Sequence, residues 1–347
     1  MNQFARVSSL QAQKAVPPGP LNVMIEMSAR CPQKCPMCPL QGSDDRLARD
    51  EGLMDERLFR RIVDQLAEYP PDVLRLHYSG ESTVHPKFGE LGRYARAKLP
   101  DTHIQYNTGG LLWTTPEKRR DWLGIDADLI TFSIEANRWL QDGFAADGSS
   151  WDTATKRKDV RDEYRKFAIH PYRAGAPWSV CVPNLIATAQ TLRAMQKEGL
   201  AQRTSLHIQH MITREQEAVD MKEIHGMRRS TWEIEFSIAF WKQHGVTVQY
   251  VPVASIGGSV DNSDMRNDAF QRKPMGNCKE VYTNFIISWT GQVAPCCVDH
   301  GFRLLPISLA DMSVRDAWNH PALTGLREQH RGGGGYPEQC KKCLEAL

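Results

Sequence analysis

The chain has 347 residues, a formal net charge of +2, 41% hydrophobic residues and 24% charged residues. That length buries a large core and divides into two units, while a charge so close to zero argues against a nucleic-acid or membrane partner. No apolar run approaches the roughly 20 residues that span a bilayer, and the opening "MNQFARVSSLQAQKAVPPGP" lacks an apolar signal core, so residues 1–20 read as a flexible lead-in to a cytoplasmic protein.

From residue 21 to 253 strand-like and helix-like pieces alternate. "LNVMIEM" (21–27) is a short strand that feeds a cysteine loop. "DERLFRRIVDQLAEY" (55–69) spaces Leu58, Ile62, Val63 and Leu66 at helical intervals behind Asp55, an expected N-cap. "DVLRLHYSG" (72–80) is a strand, "KFGELGRYARAKL" (87–99) a helix, and "THIQYNTGG" (102–110) and "ADLITFSIEA" (127–136) are strands. A charged stretch (147–167) precedes the helix "NLIATAQTLRAMQKEG" (184–199) and the strand "TSLHIQHMIT" (204–213). The helix "TWEIEFSIAFWKQHG" (231–245), stopped at Gly245, and the strand "VTVQYVPV" (246–253) complete the series. Six strands joined by helical crossovers predict an α/β fold, a partial (β/α)6 barrel with its site on the loops at the strand C-termini. Residues 254–273 read as a polar linker, and 274–347 as a small C-terminal unit of short strands and helices.

Nine cysteines in a reduced compartment need a role other than disulfides. Three, Cys31, Cys35 and Cys38, read C-x3-C-x2-C straight after the first strand. A [4Fe–4S] cluster normally takes four thiolates, so three from one loop leave one iron open to a small molecule. A zinc site would need a fourth ligand that is not nearby, and a redox C-x2-C pair would not need Cys31. At the other end, Cys278, Cys296 and the late pair Cys340 and Cys343 supply four thiolates, enough for a fully ligated second cluster, with a zinc ribbon as the alternative. Cys181 and Cys297 are left over.

The triplet resembles the signature of the radical S-adenosylmethionine superfamily, and further stretches in the expected order strengthen the resemblance. "SGES" (79–82) resembles the Gly-Gly-Glu motif that binds the methionine amino group, with Ser79 in place of Gly, followed by Gly80 and Glu81. "NTGG" (107–110) resembles a Thr-Asn-Gly strand end. "FSIEA" resembles a strand end that contacts ribose and carboxylate, which nominates Ser133 and Glu135, while Met37 takes the apolar place beside the adenine. The C-terminal unit resembles a twitch/SPASM-type domain with one auxiliary [4Fe–4S] cluster on Cys278, Cys296, Cys340 and Cys343.

The resemblance implies an enzyme that cleaves S-adenosylmethionine to a 5′-deoxyadenosyl radical, fed by an electron donor such as flavodoxin or ferredoxin. The layout is similar to that of 2-deoxy-scyllo-inosamine dehydrogenase and other sugar-modifying enzymes of antibiotic pathways. The expected substrate is therefore a sugar-like small molecule, with dehydrogenation ahead of decarboxylation and epimerisation. Modification of a ribosomally made peptide is the second expectation, ranked lower because the 20-residue lead-in has no room for a leader-binding domain. A non-catalytic iron–sulfur or zinc protein is the third.

Cys181 reads either as a small core residue or as a hydrogen donor to a substrate radical, and Asp299, beside His300, either as a proton acceptor in the site or as a surface residue. His207 and His210 have opposite strand parity, so at most one faces the barrel interior, where Gln209 accompanies His207. Trp178 and Trp289 are candidates for the pocket wall.

Overall fold

The structure is a computed structural model and describes residues 3–35, 38, 40, 49–134, 178–212, 238–252 and 278–346. The expected linker, the charged stretch 147–167 and the first part of the helix at 231–245 lie outside the described residues.

All six expected strands are present: β1 Asn22–Ile25, β2 Val73–Arg75, β3 His103–Thr108, β4 Leu129–Ser133, β5 Ser205–Ile212 and β6 Val246–Pro252. Each pairs in parallel with the next in sequence. The C-terminal unit continues this sheet. β7 Asn284–Ile287 lies parallel to the free edge of β1, and β8 Val293–Ala294 runs antiparallel to β7. The order is β6-β5-β4-β3-β2-β1-β7-β8, an open curved sheet rather than a closed barrel.

Burial alternates along β3, with Ile104, Tyr106 and Thr108 buried and His103, Gln105 and Asn107 half-buried. The outward set packs on helices to form the main core with Val23, Ile25, Leu74, Ile130, Phe132 and Phe285. The inward set is polar. Register places Asn107 beside Thr131, then His207, then Thr247, one row across four strands.

α2 Glu56–Leu66 starts as its sequence requires. Asp55 accepts hydrogen bonds from the Arg57 and Leu58 amides at 2.9 and 3.1 Å, and Phe59, Ile62, Val63 and Leu66 are buried. α3 is Phe88–Lys98. α4, Pro116–Leu123, supplies the crossover from β3 to β4 and was not expected, although Thr115 as N-cap followed by Pro116 is a helix-start pair. The helix Trp178–Lys197 begins six residues before the expected start. Pro183 sits inside it near the N-terminus, where a missing N–H removes only one intrahelical bond.

The lead-in is a helix, α1 Gln3–Gln13, and it is docked. Val7 is buried, Arg6 pairs with Asp72 at 2.9 Å, and the Gln11 amide donates to Thr283 Oγ1 at 2.8 Å. Val7 and Leu10, three apart, give this segment an apolar side that its Pro-rich end conceals.

Candidate active site

β1 ends in the cysteine loop, whose two arms pair with each other. Ser28 bridges Leu53, the Ala29 amide donates to the Gly52 carbonyl at 2.9 Å, and the Met54 amide to Met27 at 3.0 Å. Cys35 is buried, Cys31 and Cys38 are half-buried, and the Cys38 amide donates to the Cys35 carbonyl at 3.0 Å. Burial pushes the Cys31 thiol up to about 12, with the charges of Glu81, Cys35 and Cys38 adding to the rise against a Gln33 backbone hydrogen bond. Thiolates in this setting need a cation beside them, and bound iron is one.

The turn after β2 closes against this loop. A Cβ on Gly80 would lie 2.0 Å from the Ser28 carbonyl oxygen, so only glycine allows the approach. The Glu81 amide donates to the Arg30 carbonyl at 2.9 Å. The Glu81 carboxylate is buried and bridges two turns: Oε1 accepts from the Thr83 hydroxyl at 2.6 Å and amide at 3.3 Å, and Oε2 accepts from the Gly109 amide at 2.7 Å. Gly80, Glu81 and the "NTGG" turn are therefore brought together beside the triplet. Ser133 ends β4, buried and in register with Gln209 of β5. Met37, Glu135 and the Trp178 side chain lie outside the described residues.

Ser79 turns the other way. Its Oγ lies 3.0 Å from His300 Nδ1, and the ring of Tyr78 stacks on His300 with centroids 4.9 Å apart. The Tyr78 hydroxyl donates to the Cys297 carbonyl at 3.3 Å. His300 stands on a turn built by Asp299, which is fully buried. Asp299 Oδ1 accepts from the Arg303 amide at 3.0 Å and Oδ2 from the Leu304 amide at 3.1 Å. Both carboxylate oxygens thus hold the turn, and Asp299 is not at the surface. The turn includes Phe302 at φ +51°, a left-handed conformation costly for an aromatic residue and fixed by these bonds.

Cys181 is 1% exposed within the main core, its thiol pushed up to about 12 by burial and by Glu81 nearby. His210 is 0% exposed with Nδ1 against the Ile134 carbonyl, and burial takes it down to about 4. His207 is half-buried on the inward row. Burial and the adjacent Arg75 bring His77 down to about 3, so that interior ring is neutral, and its Nδ1 accepts the Asn107 amide at 3.2 Å. Trp289 packs over Gly52, where a Cβ would lie 2.3 Å from its ring, and its indole N–H donates to the Asp50 carbonyl at 3.2 Å.

One element of the site went unread in the sequence. Glu26, 0% exposed just after β1, takes both guanidinium nitrogens of Arg49 at 2.5 and 2.8 Å, and the Trp289 amide donates to it at 3.3 Å. Arg49 also lies over the Phe302 ring at 5.0 Å. The pair ties the returning arm of the cysteine loop to the C-terminal unit. Its signal was a carboxylate inside the apolar strand "LNVMIEM", since a charge in such a place needs a partner.

The C-terminal thiols come from three segments. Cys278 precedes the short turn Glu280–Tyr282, Cys296 and Cys297 follow β8, and Cys340 and Cys343 stand on the helix Glu338–Ala346. Cys296 and Cys340 are buried and Cys297 is exposed. Burial raises the thiol pKa of all five, and their charges reach one another: Cys278 raises Cys296, Cys297 and Cys340, and Cys343 raises Cys278. The Cys278 amide donates to His330 Nδ1 at 3.2 Å, leaving buried His330 Nε2 with no partner among the described residues, a donor that a sulfide-bearing group would satisfy. A single zinc would need thiolates about 3.8 Å apart from its bond length. Among the described residues no three His, Cys, Asp or Glu groups are gathered to hold one ion.

The comparisons with known proteins agree with this geometry. Residues 278–344 match the SPASM model, an iron–sulfur cluster-binding domain. The PqqA peptide cyclase of Xanthomonas campestris pv. campestris is 27% identical over 94% of this chain and 80% of its own length. That of Gluconobacter oxydans is 24% identical over 94% and 84%. Among solved structures, Streptococcus suis SuiB bound to precursor peptide SuiA aligns with a TM-score of 0.57 at 13% identity, over 93% of this chain and 70% of that one. BtrN in complex with AdoMet and 2-DOIA aligns at 0.50 and 13%, over 90% and 87%. These are radical S-adenosylmethionine enzymes. The chain carries a SPASM domain at residues 278–344 and resembles these enzymes in sequence and fold along most of its length. The expected fold is met, and the expected cofactors, [4Fe–4S] clusters and S-adenosylmethionine, have the support of these matches. The SPASM domain is joined to the barrel through the sheet, and its Cys296–Phe302 turn reaches the β2 loop.

Proposed function

We propose that this enzyme removes a hydrogen atom from a peptide substrate bound over the inward face of the open sheet. Cys31, Cys35 and Cys38 would hold a [4Fe–4S] cluster with one open iron, and Cys278, Cys296, Cys340 and Cys343 one auxiliary cluster. Together the open cluster and S-adenosylmethionine supply a 5′-deoxyadenosyl radical. Gly80 lets the β2 turn approach the cysteine loop, and Glu81 fixes that turn against Gly109, so the surface facing the open iron is built before anything binds. Ser133, the last residue of β4, and Glu135 are proposed for ribose and carboxylate, and Met37 for adenine. Asp299 acts through the turn it holds rather than as a proton acceptor, and Cys181, in the core, serves packing.

The observation that carries the reading is the joining of a three-cysteine loop, held by Gly80 and Glu81, to a SPASM domain across one continuous sheet. The substrate class is supported by the likeness to the PqqA peptide cyclases of Xanthomonas campestris and Gluconobacter oxydans, over 80% and 84% of their length, and to SuiB bound to its precursor peptide. The inward residues Gln105, Asn107, Thr131, His207 and Gln209 are polar and suited to amide groups, with Arg75 in register beside Gln105. A sugar or aminocyclitol is the second reading, favoured by the likeness to BtrN in complex with 2-DOIA.

Anaerobic reconstitution with iron and sulfide, then incubation with reductant and S-adenosylmethionine, tests the first step. About eight irons per chain and release of 5′-deoxyadenosine support the reading; zinc without turnover overturns it. Offering a panel of precursor peptides and of sugars, each deuterated, separates the two substrate classes. Deuterium in 5′-deoxyadenosine from peptides alone supports the first, and from sugars alone the second.

A further inference from the structure

The β2 turn is gripped from two sides. On one side lies the cysteine loop, through Gly80 on Ser28 and the Glu81 amide on Arg30. On the other lies His300 of the SPASM domain, through Ser79 and Tyr78. The second grip explains why position 79 departs from glycine: the serine hydroxyl has a partner in the SPASM domain, and glycine would have none. The stack on His300 is nearly parallel, at 13°, and the far edge of Tyr78 meets Phe302 with centroids 5.7 Å apart. Asp299 locks the turn that presents both His300 and Phe302. One residue from Asp299 and three from Cys297, His300 lies on the auxiliary-cysteine segment, while Ser79 is the residue next to Gly80.

We propose that His300 is a positioning residue which, through Ser79 and Tyr78, sets the S-adenosylmethionine loop, so that order in the auxiliary-cluster segment is transmitted to S-adenosylmethionine binding. This rests on the radical S-adenosylmethionine reading of the site. Coupling of this kind requires a contact present in one arrangement of the segment and lost in another. The Ser79–His300 bond and its neighbouring stack, half-buried between the units, form such a contact.

The test uses the full chain, anaerobically reconstituted, with iron content measured for each variant. Ser79→Ala and His300→Ala are each expected to weaken S-adenosylmethionine binding about tenfold, read as KM for 5′-deoxyadenosine release, with kcat changed far less. The double variant should lose no more than either single one, the signature of one shared contact. His300→Asn, which keeps a side-chain partner for Ser79, should recover part of the loss. The spectroscopic change of the reduced cluster on adding S-adenosylmethionine should move to higher ligand concentration in step. Ser79→Ala removes one hydroxyl and leaves the auxiliary-cysteine segment itself unsubstituted, so it answers even if His300→Ala loses iron. Unchanged KM in Ser79→Ala, or additive losses in the double variant, would overturn the proposal. If the unsubstituted enzyme releases no 5′-deoxyadenosine, it is the radical reading that fails.

Discussion

The two cysteine sets are built in opposite ways. The triplet sits on one loop of eight residues, 31–38, and its support is local: a paired return arm, a glycine against a carbonyl, a carboxylate on two turns. The SPASM set gathers thiols from residues 278 to 343 and depends on β7 and β8 and on the helix Glu338–Ala346 to bring them together. A local site has fixed spacing and leaves its last coordination place to a ligand. A dispersed site closes on itself and can follow the folding state of its unit. The contact strip through Tyr78, His300, Phe302 and Arg49 is where one kind of site meets the other.

That contrast predicts unequal effects. Replacing Cys35 by Ala should bring 5′-deoxyadenosine formation to background while iron falls to about four per chain, since the SPASM set remains. Cys340→Ala should also cost about four irons yet leave S-adenosylmethionine cleavage measurable; parallel iron counts and chromatography of 5′-deoxyadenosine compare the two. If both variants abolished cleavage equally, the division between the sites would fail.

Gly80→Ala sharpens the local side. Its Cβ would meet the Ser28 carbonyl at 2.0 Å, forcing the turn off the cysteine loop. Displacement on that scale costs about 10²-fold in turnover, measurable as the rate of 5′-deoxyadenosine release. Iron content should stay near that of the unsubstituted enzyme.

Arg49→Met breaks the strut between the sites. It leaves Glu26 buried without its ion partner, expected to cost about 3 kcal/mol in denaturant unfolding under anaerobic conditions. Replacing Glu26 and Arg49 together by Gln and Met should recover part of that loss, because no lone charge is then buried.

The smallest effect is one of pH. His210 has its folded pKa depressed to about 4, below its ordinary 6.5. Between those values the unfolded chain binds the proton and the folded one does not, so stability falls as pH drops from 6.5 towards 4. His210→Gln should flatten that slope in thermal unfolding measured across the window.

Much of this was legible in the residues. Six strands and the helices Glu56–Leu66 and Phe88–Lys98 followed from periodicity and an Asp cap, because local patterning and burial agree there. The triplet was legible for the same reason. What escaped depended on distant parts of the chain. β7 beside β1, α1 docked by Arg6 on Asp72, and Glu26 paired with Arg49 are contacts between segments that no spacing connects. The two histidines of β5 were separable by parity alone, whereas Asp299 as a turn brace and His300 as the partner of Ser79 required the folded turn. α4 was within reach, through Thr115–Pro116.

The most direct test of an open and a closed cluster is Mössbauer spectroscopy of the ⁵⁷Fe-reconstituted chain titrated with S-adenosylmethionine. The account predicts about eight irons in two cubane clusters, with a single iron changing its environment as S-adenosylmethionine binds. About four irons, or a full set in which none responds, would contradict it.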